Sequence, residues 1–380
     1  MDSTGRLPCK DRPVSHHAAA ALAETLRGHV ALGKSRLETL CMLVVGMIGA
    51  RTVNLGHIAT ASGRGVLIAS TYRRFQRFFQ HVQLDPEWAV PMLARLIGAS
   101  GAWTLALDRT TWKVGTRDVN YLVLAVVTRR FRVPLLWSLL DGPGNSATAA
   151  RVALMTRYLA HFPASTVRLL LADREFIGTE WMKFLNDNNI PFAIRLREDL
   201  RVTTEDGSEL TLRARLHRAG RTRFFQARLG ARDAAGACDA PLLNFAATRL
   251  KTEWLIVVSS MPARQALAAY RKRWAIECMF GDAKTRGLNI EDTRLTNPRK
   301  LALLMALVAL AIVWAGRVAA DLLGVASPKR KAHGYFAQSW FRLGFDRLRN
   351  LLASDQSQAI NPWRRLHTSD RKPTKRERVV

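Results

Sequence analysis

Between residues 103 and 196, short apolar runs and amphipathic stretches follow one another in an order that few architectures accommodate. Residues 103–107, 121–128 and 132–139 are short and rich in Val, Leu and Ile, and they read as three consecutive strands. After the turn signal Gly142-Pro143-Gly144 come a helical stretch at 147–162, a buried-type strand at 167–172, a helix at 179–186 and a strand at 192–196. Three strands, helix, strand, helix, strand predicts an α/β layer with helices on both faces of one sheet.

That order is the one of an RNase H-like core, with residues 99–196 as its first part. From 197 to 253 the pattern becomes short and alternating, punctuated by Gly207, Gly220, Gly230 and Gly236, as in an antiparallel, all-β insertion. A strand at 254–259, a basic helix from Arg264 to about Arg286 and an apolar helix at 301–319 make 254–325 the second part of the core. Residues 326–380 form a basic carboxyl-terminal region whose tail after Trp363 is expected to be disordered.

Residues 1–98 read as a helical, DNA-binding domain. The polar stretch from 1 to about 18 is expected to be disordered, and helical periodicity runs through 19–32 and 37–49. Residues 55–61, a Ser62-Gly63 break and residues 66–79 suggest helix, turn, helix, and 84–98 adds one more helix. The second helix of that pair carries Tyr72, Arg73, Arg74 and Arg77. Arginines interleaved with aromatics suit phosphate contact and groove insertion, the plainer alternative being a solvated basic face.

Charge points the same way. Of 380 residues, 58 are Lys or Arg and 30 Asp or Glu, a formal net charge of +28. Such an excess calls for a polyanion, and because it is spread along the chain instead of flanking one apolar span, nucleic acid fits better than an anionic membrane. The apolar run at 301–315 is shorter than the roughly 20 residues of a spanning helix and reads as a buried core helix, so no membrane partner is expected. The first 20 residues lack the continuous apolar core of a secretory signal, and the expected location is cytoplasmic, on the nucleoid. Cys9, Cys41, Cys238 and Cys278 are scattered, without the spacing of a disulfide framework or a zinc site.

Two acids follow apolar runs directly: Asp108 in LALDRTTW and Asp173 in LLLADREF. Each is read as ending its strand, the place where an open α/β sheet presents ligands, and in the RNase H order the two strands are neighbours. Paired carboxylate oxygens suit Mg²⁺, a hard ion that also takes water and phosphate. A strand-end residue or helix cap is the bland alternative for either one. In YRKRWAIECMFGDAKTRG, Tyr270, Arg273, Glu277 and Lys284 stand at offsets of 3, 7 and 14, which one continuous helix keeps on one stripe. The carboxylate can bind metal while the cations hold phosphate; the alternative is a salt-bridged surface helix. Glu175 and Glu180 are expected to pair with nearby Arg or cap the following helix, and Asp141 and Asp282 match no pattern.

With its two preceding strand-end aspartates, the spacing Tyr, two residues, Arg, three residues, Glu, six residues, Lys resembles the signature of the IS-four group of insertion-sequence transposases, in the DDE superfamily. The resemblance covers roughly residues 72–315. It implies that Asp108, Asp173 and Glu277 are the catalytic, metal-binding triad, that Tyr270, Arg273 and Lys284 contact DNA of the element end, and that an all-β insertion precedes the Glu. Some relatives hold a flipped base against a tryptophan there, for which Trp254 is a candidate. Two Mg²⁺ ions, with Mn²⁺ as a substitute, would then drive cleavage to a free 3′ hydroxyl and its transfer to target DNA, in a cut-and-paste reaction that in this branch can pass through a hairpin. The implied partners are the terminal inverted repeats, the target DNA and a second copy of the chain as homodimer. A catalytically silent, DNA-binding repressor of the element and an RNase H-like nuclease remain the rival readings.

Overall fold

The computed structural model describes residues 16–62, 67–98, 101–217, 220–230, 240–332, 334 and 336–366. Among these, helices come first: α1 (His16–Leu26), α2 (Lys34–Ala50), α3 (Leu55–Ser62), α4 (Ile68–His81) and α5 (Val90–Ile97). There follow β1 (Trp103–Val114), β2 (Arg117–Val127), β3 (Arg132–Leu139), α6 (Thr148–His161), β4 (Val167–Ala172), α7 (Thr179–Asp187) and β5 (Phe192–Leu196). The next stretch holds β6 (Arg201–Thr204), β7 (Glu209–Thr211), a short α8 (Leu212–Leu216), β8 (Thr222–Leu229), β9 (Leu242–Arg249) and β10 (Trp254–Ser259). Then come α9 (Ala263–Tyr270), α10 (Trp274–Ala283), α11 (Pro298–Leu323), α12 (Trp340–Ser354) and α13 (Gln356–Arg364).

The described residues form two compact units, 101–280 and 16–98 with 281–366, the division falling inside α10. This boundary differs from the expected one at 325/326: α11 groups with the amino-terminal helices.

In the first of these units one ten-stranded sheet runs β3-β2-β1-β4-β5-β10-β9-β8-β6-β7. Strands β3, β2 and β1 are antiparallel, β1-β4 and β4-β5 are parallel, and β10 returns antiparallel to β5. The first five strands are the RNase H-like arrangement expected from the sequence. Leu105–Leu107 of β1, 119–127 of β2 and 169–172 of β4 are buried without alternation, as strands covered on both faces must be. Strands β6 to β9, from the segment 197–253, continue the same sheet beyond β10, and α8 lies within that segment. Helix α6 packs on β3 and α7, and α9 packs on β5, β9 and β10.

In the helical unit, α11 is long and apolar enough to cross a membrane, yet 89% of its most apolar window is buried, among α2, α5, α12 and α13. Trp314 at its centre donates its indole N–H to the Ala359 carbonyl at 2.9 Å and meets Trp363 edge-on. Helix α1 begins at His16, inside the stretch expected to be disordered, because Ala18, Ala19, Leu22, Ala23 and Leu26 bury one face. Residues 1–15, Gly63 and the tail from 367 lie outside the described residues, as do Cys9, Gly236 and Cys238. Helices α12 and α13, unread in the sequence, start on Ser339 and Asp355, whose side chains accept from the Arg342 and Gln358 amides.

Helix α12 crosses α11 at Gly344. A Cβ there would stand 1.9 Å from the Ala315 carbonyl oxygen and 2.9 Å from the Ala319 Cβ, both on a helix that cannot yield locally. Gly344→Ala is therefore expected to destabilise the protein by about 1–3 kcal/mol. Gly220→Ala, where an added Cβ meets nothing within 4 Å, should stay within about 0.5 kcal/mol of the native protein. Thermal unfolding followed by circular dichroism compares the two; equal melting temperatures would contradict the close crossing.

Candidate active site

The parallel ladder between β1 and β4 ends with the pair Leu107↔Ala172. The next residue on each chain is Asp108 and Asp173, so the two carboxylates stand side by side where the ladder opens. Asp108 does not end its strand, as the sequence had suggested. Strand β1 continues to Val114 against β2, with Asp108 opposite Val123. Beyond Asp108 the strand alternates, burying Thr110 and Trp112 and exposing Thr111 and Lys113, which is the pattern of a strand covered on one face only.

The expected helix from Arg264 to Arg286 is three pieces. Helix α9 stops at Tyr270, a 3₁₀ turn covers Arg271–Arg273, and α10 begins at Trp274. In a 3₁₀ turn, positions three apart eclipse, and the Arg273 guanidinium lies 5.8 Å from the centre of the Tyr270 ring. From there Arg273 donates to Asp108 Oδ2 at 3.4 Å and to Glu277 Oε1 at 2.5 Å, while the Tyr270 hydroxyl donates to Asp173 Oδ1 at 3.2 Å. Two aspartates far apart in sequence and three residues of the YREK stripe thus meet as two hydrogen-bonded sets, Tyr270 with Asp173 and Arg273 with Asp108 and Glu277, joined by the contact of the guanidinium with the tyrosine ring. Lys284 does not share that stripe: it follows the end of α10, falls in the helical unit and pairs with Glu291 at 2.9 Å.

Burial dominates the electrostatics. Asp108 is pushed up to about 6 by desolvation, against which its bond from the Arg109 amide and the charge of Arg273 act, while Glu175 and Asp173 add repulsion. Desolvation likewise raises the Tyr270 hydroxyl, which stays protonated and able to donate to Asp173. A buried acid held among other acids needs a cation, and Arg273, only 12% exposed, supplies one. Among the described residues no group of three or more His, Cys, Asp or Glu side chains is already drawn together to hold a metal. The donor set of carboxylate oxygens short of positive charge nonetheless suits a hard divalent cation.

Sequence reading missed one neighbour. Strand β5 pairs with β4 up to Ala172↔Ile194, so Arg195 is the residue next to Asp173 along the edge; it binds Glu253 at 2.7 Å. Only the register reveals it. Glu175, expected to pair with an arginine, does so with Arg109, 66 positions earlier, at 2.6 Å.

The other nominated arginines sit on α4 in the helical unit. Arg73 and Arg77 are exposed, whereas Arg74 turns inward, donating to Thr39 Oγ1 at 2.7 Å and the Ser35 carbonyl at 3.0 Å on α2. Phe75, Phe78 and Phe79 bury the opposite face of α4.

The raised Asp108 has a consequence for stability. Its folded value of about 6 lies above the unfolded 3.8, so its contribution is fully favourable below the unfolded value and is lost as pH rises through the folded one. In metal-free protein at about pH 7.5, Asp108→Asn should therefore stabilise the fold by on the order of 2 kcal/mol, a gain that shrinks toward about pH 4. Melting curves at the two pH values decide; a variant less stable than native at the higher pH would rule out a strained, buried carboxylate.

No curated protein matches this sequence. Among solved structures, the cryo-EM structure of a piggyBac transposase synaptic complex with hairpin DNA is similar over 95% of this chain and 79% of that one, at 11% identity and a TM-score of 0.45. Residues 99–314, which span both aspartates, Tyr270, Arg273 and Glu277, match the family model described as the transposase DDE domain. That match takes in more than half of the chain, and the protein belongs to the DDE-domain transposase family.

Proposed function

We propose that the protein cleaves the ends of an insertion element and joins them to target DNA, with Asp108, Asp173 and Glu277 as the catalytic, metal-binding triad. What supports this above all is that Asp108 of β1 and Glu277 of α10 share one guanidinium while Asp173, at the end of the neighbouring β4, is held by the tyrosine that this guanidinium faces, all inside the segment that matches the family. Divalent ions, Mg²⁺ or Mn²⁺, would supply Lewis-acid polarisation of the scissile phosphate and a more acidic attacking water.

The chain's own residues bind and orient. Asp108 and Asp173 present oxygens from adjacent strand positions, and the Tyr270 hydroxyl fixes the rotamer of Asp173. Arg273 neutralises Asp108 and Glu277 when no other cation is present and is the nearest donor for a phosphate at the same place. Cleavage by water leaves a 3′ hydroxyl and a 5′ phosphate. That hydroxyl then attacks either the opposite strand, closing a hairpin, or a target phosphate. Lys284 and the exposed Arg73 and Arg77 are further contacts for DNA, whereas Arg74 holds α4 to α2. A homodimer on paired terminal inverted repeats would let both ends react together, on the nucleoid.

A labelled duplex carrying the terminal repeats, incubated with Mg²⁺ and native protein, should yield 3′ hydroxyl ends and strand-transfer products. Glu277→Ala should bind that duplex within a few-fold of native yet cut it on the order of 10³-fold more slowly. Binding by both with cutting by neither, in Mg²⁺ or Mn²⁺, would make the protein a repressor; cutting without joining would make it a nuclease. Because the net charge is +28, affinity for the duplex should fall by about 10³-fold between roughly 50 and 200 mM salt. A gel-shift titration across that range measures it, and a flat response would argue against extensive phosphate contact.

A further inference from the structure

We infer that Arg109 and Glu175 are a pair of positioning residues that set the separation of Asp108 and Asp173. The inference rests on reading those two aspartates as metal ligands.

The backbone ladder that aligns β1 with β4 stops at Leu107↔Ala172, one residue short of both acids. Past that rung, the tie between the two segments is made by side chains. Arg109 follows Asp108 directly, and Glu175 lies two residues after Asp173. They form a two-pronged pair, Nε to Oε1 at 2.6 Å and Nη2 to Oε2 at 2.7 Å.

The remaining donors of Arg109 are also committed. Nη1 reaches Asn120 Oδ1 at 3.2 Å and the Gly144 carbonyl, and Nη2 reaches Asn145 Oδ1 at 3.1 Å. All five N–H groups of the guanidinium are thus engaged within the protein, which leaves none for a DNA phosphate. Asn120 in turn donates to the Gly142 and Gly144 carbonyls, each at 3.1 Å. Both glycines have positive φ, which lets the turn aim these carbonyls at Arg109 and Asn120.

Glu175 is held from a second side. Arg151 of α6 donates to the Glu175 carbonyl and to the Ile177 carbonyl, each at 3.0 Å, and lies over the Phe176 ring. The loop that carries Glu175 is therefore fixed by two arginines.

Geometry assigns the pair to positioning and not to chemistry. Strand β1 pairs one-for-one with β2 from Leu105 to Val114, so side chains alternate faces, and Arg109 points away from the face that carries Asp108. It acts on Asp108 through the chain, and through its own amide, which donates to Asp108 Oδ1 at 2.8 Å. Loosening the pair lets the two carboxylates drift apart or rotate without removing a ligand.

The test uses the full-length protein with Glu175→Gln, Arg109→Lys and the double variant. Each is measured for melting temperature, for affinity toward the terminal-repeat duplex, and for Mn²⁺ binding by calorimetry without DNA. The expected result is a retained melting transition and duplex affinity, with Mn²⁺ affinity lowered about 10–100-fold in each single variant and no further in the double. Native Mn²⁺ affinity in both single variants would overturn the inference. So would a loss of Mn²⁺ binding that merely follows the loss of the melting transition in both, since the pair would then hold the sheet together and not the spacing. Asp108→Asn separates the two readings. If it abolishes Mn²⁺ binding that Glu175→Gln and Arg109→Lys leave intact, the brace alone fails; if it binds Mn²⁺ as the native protein does, the assignment of Asp108 as a ligand fails with it.

Discussion

Two carboxylates can be fixed side by side only if the backbones behind them are fixed first, and here the parallel ladder of β1 and β4 does that. Its rungs run from Trp103 to Leu107 and from Val167 to Ala172, nearly all buried, and each lateral contact in that layer excludes water from the hydrogen bonds beneath. The ladder ends where the side chains change from apolar to acidic. The sheet therefore supplies the register, and the acids inherit it.

The acids themselves oppose this arrangement. Desolvation raises Asp108, and Asp173 and Glu175 repel it, so the unit has to bring positive charge to the same place. It uses two arginines differently. Arg273 lies among the acids with bonds to Asp108 and Glu277 that a cation or a phosphate could replace. Arg109 is locked by five bonds and serves the framework. The break of the expected long helix into α9, a 3₁₀ turn and α10 has its role here, since it superposes Tyr270 and Arg273 so that one reaches Asp173 and the other Asp108. Trp274, the next residue, is left 63% exposed, a position that a helix chosen for packing alone would not give a tryptophan.

The helical unit follows a different logic. Helix α11 is apolar on all sides and is covered on all sides by helices that arrive from both ends of the chain, which resolves a 26-residue apolar segment in an otherwise strongly basic protein. Close approach at Gly344 and the Trp314 and Trp363 pair are the specific contacts of that core. The positive charge stays outside, as Arg73 and Arg77 of α4 illustrate.

Buried strands were legible because burial on both faces leaves a continuous apolar run with polar ends: β4, β5 and β10 have the bounds read from the sequence alone. The far half of β1 was not, since RTTWKV buries only alternate residues and resembles a loop with a tryptophan in it. The identities of Asp108, Asp173, Tyr270, Arg273 and Glu277 were readable as residue types at fixed spacings, which are local properties of the chain. Their convergence was not, nor the departure of Lys284 to another unit, the place of Arg195 beside Asp173, or the pairing of Arg109 with a glutamate 66 residues away. Sequence by itself determined which segments must be buried and which acids stand at their ends, because hydrophobic burial acts residue by residue. Only the tertiary structure decided which charges meet, because strand register and a single 3₁₀ turn bring together groups that the chain keeps far apart.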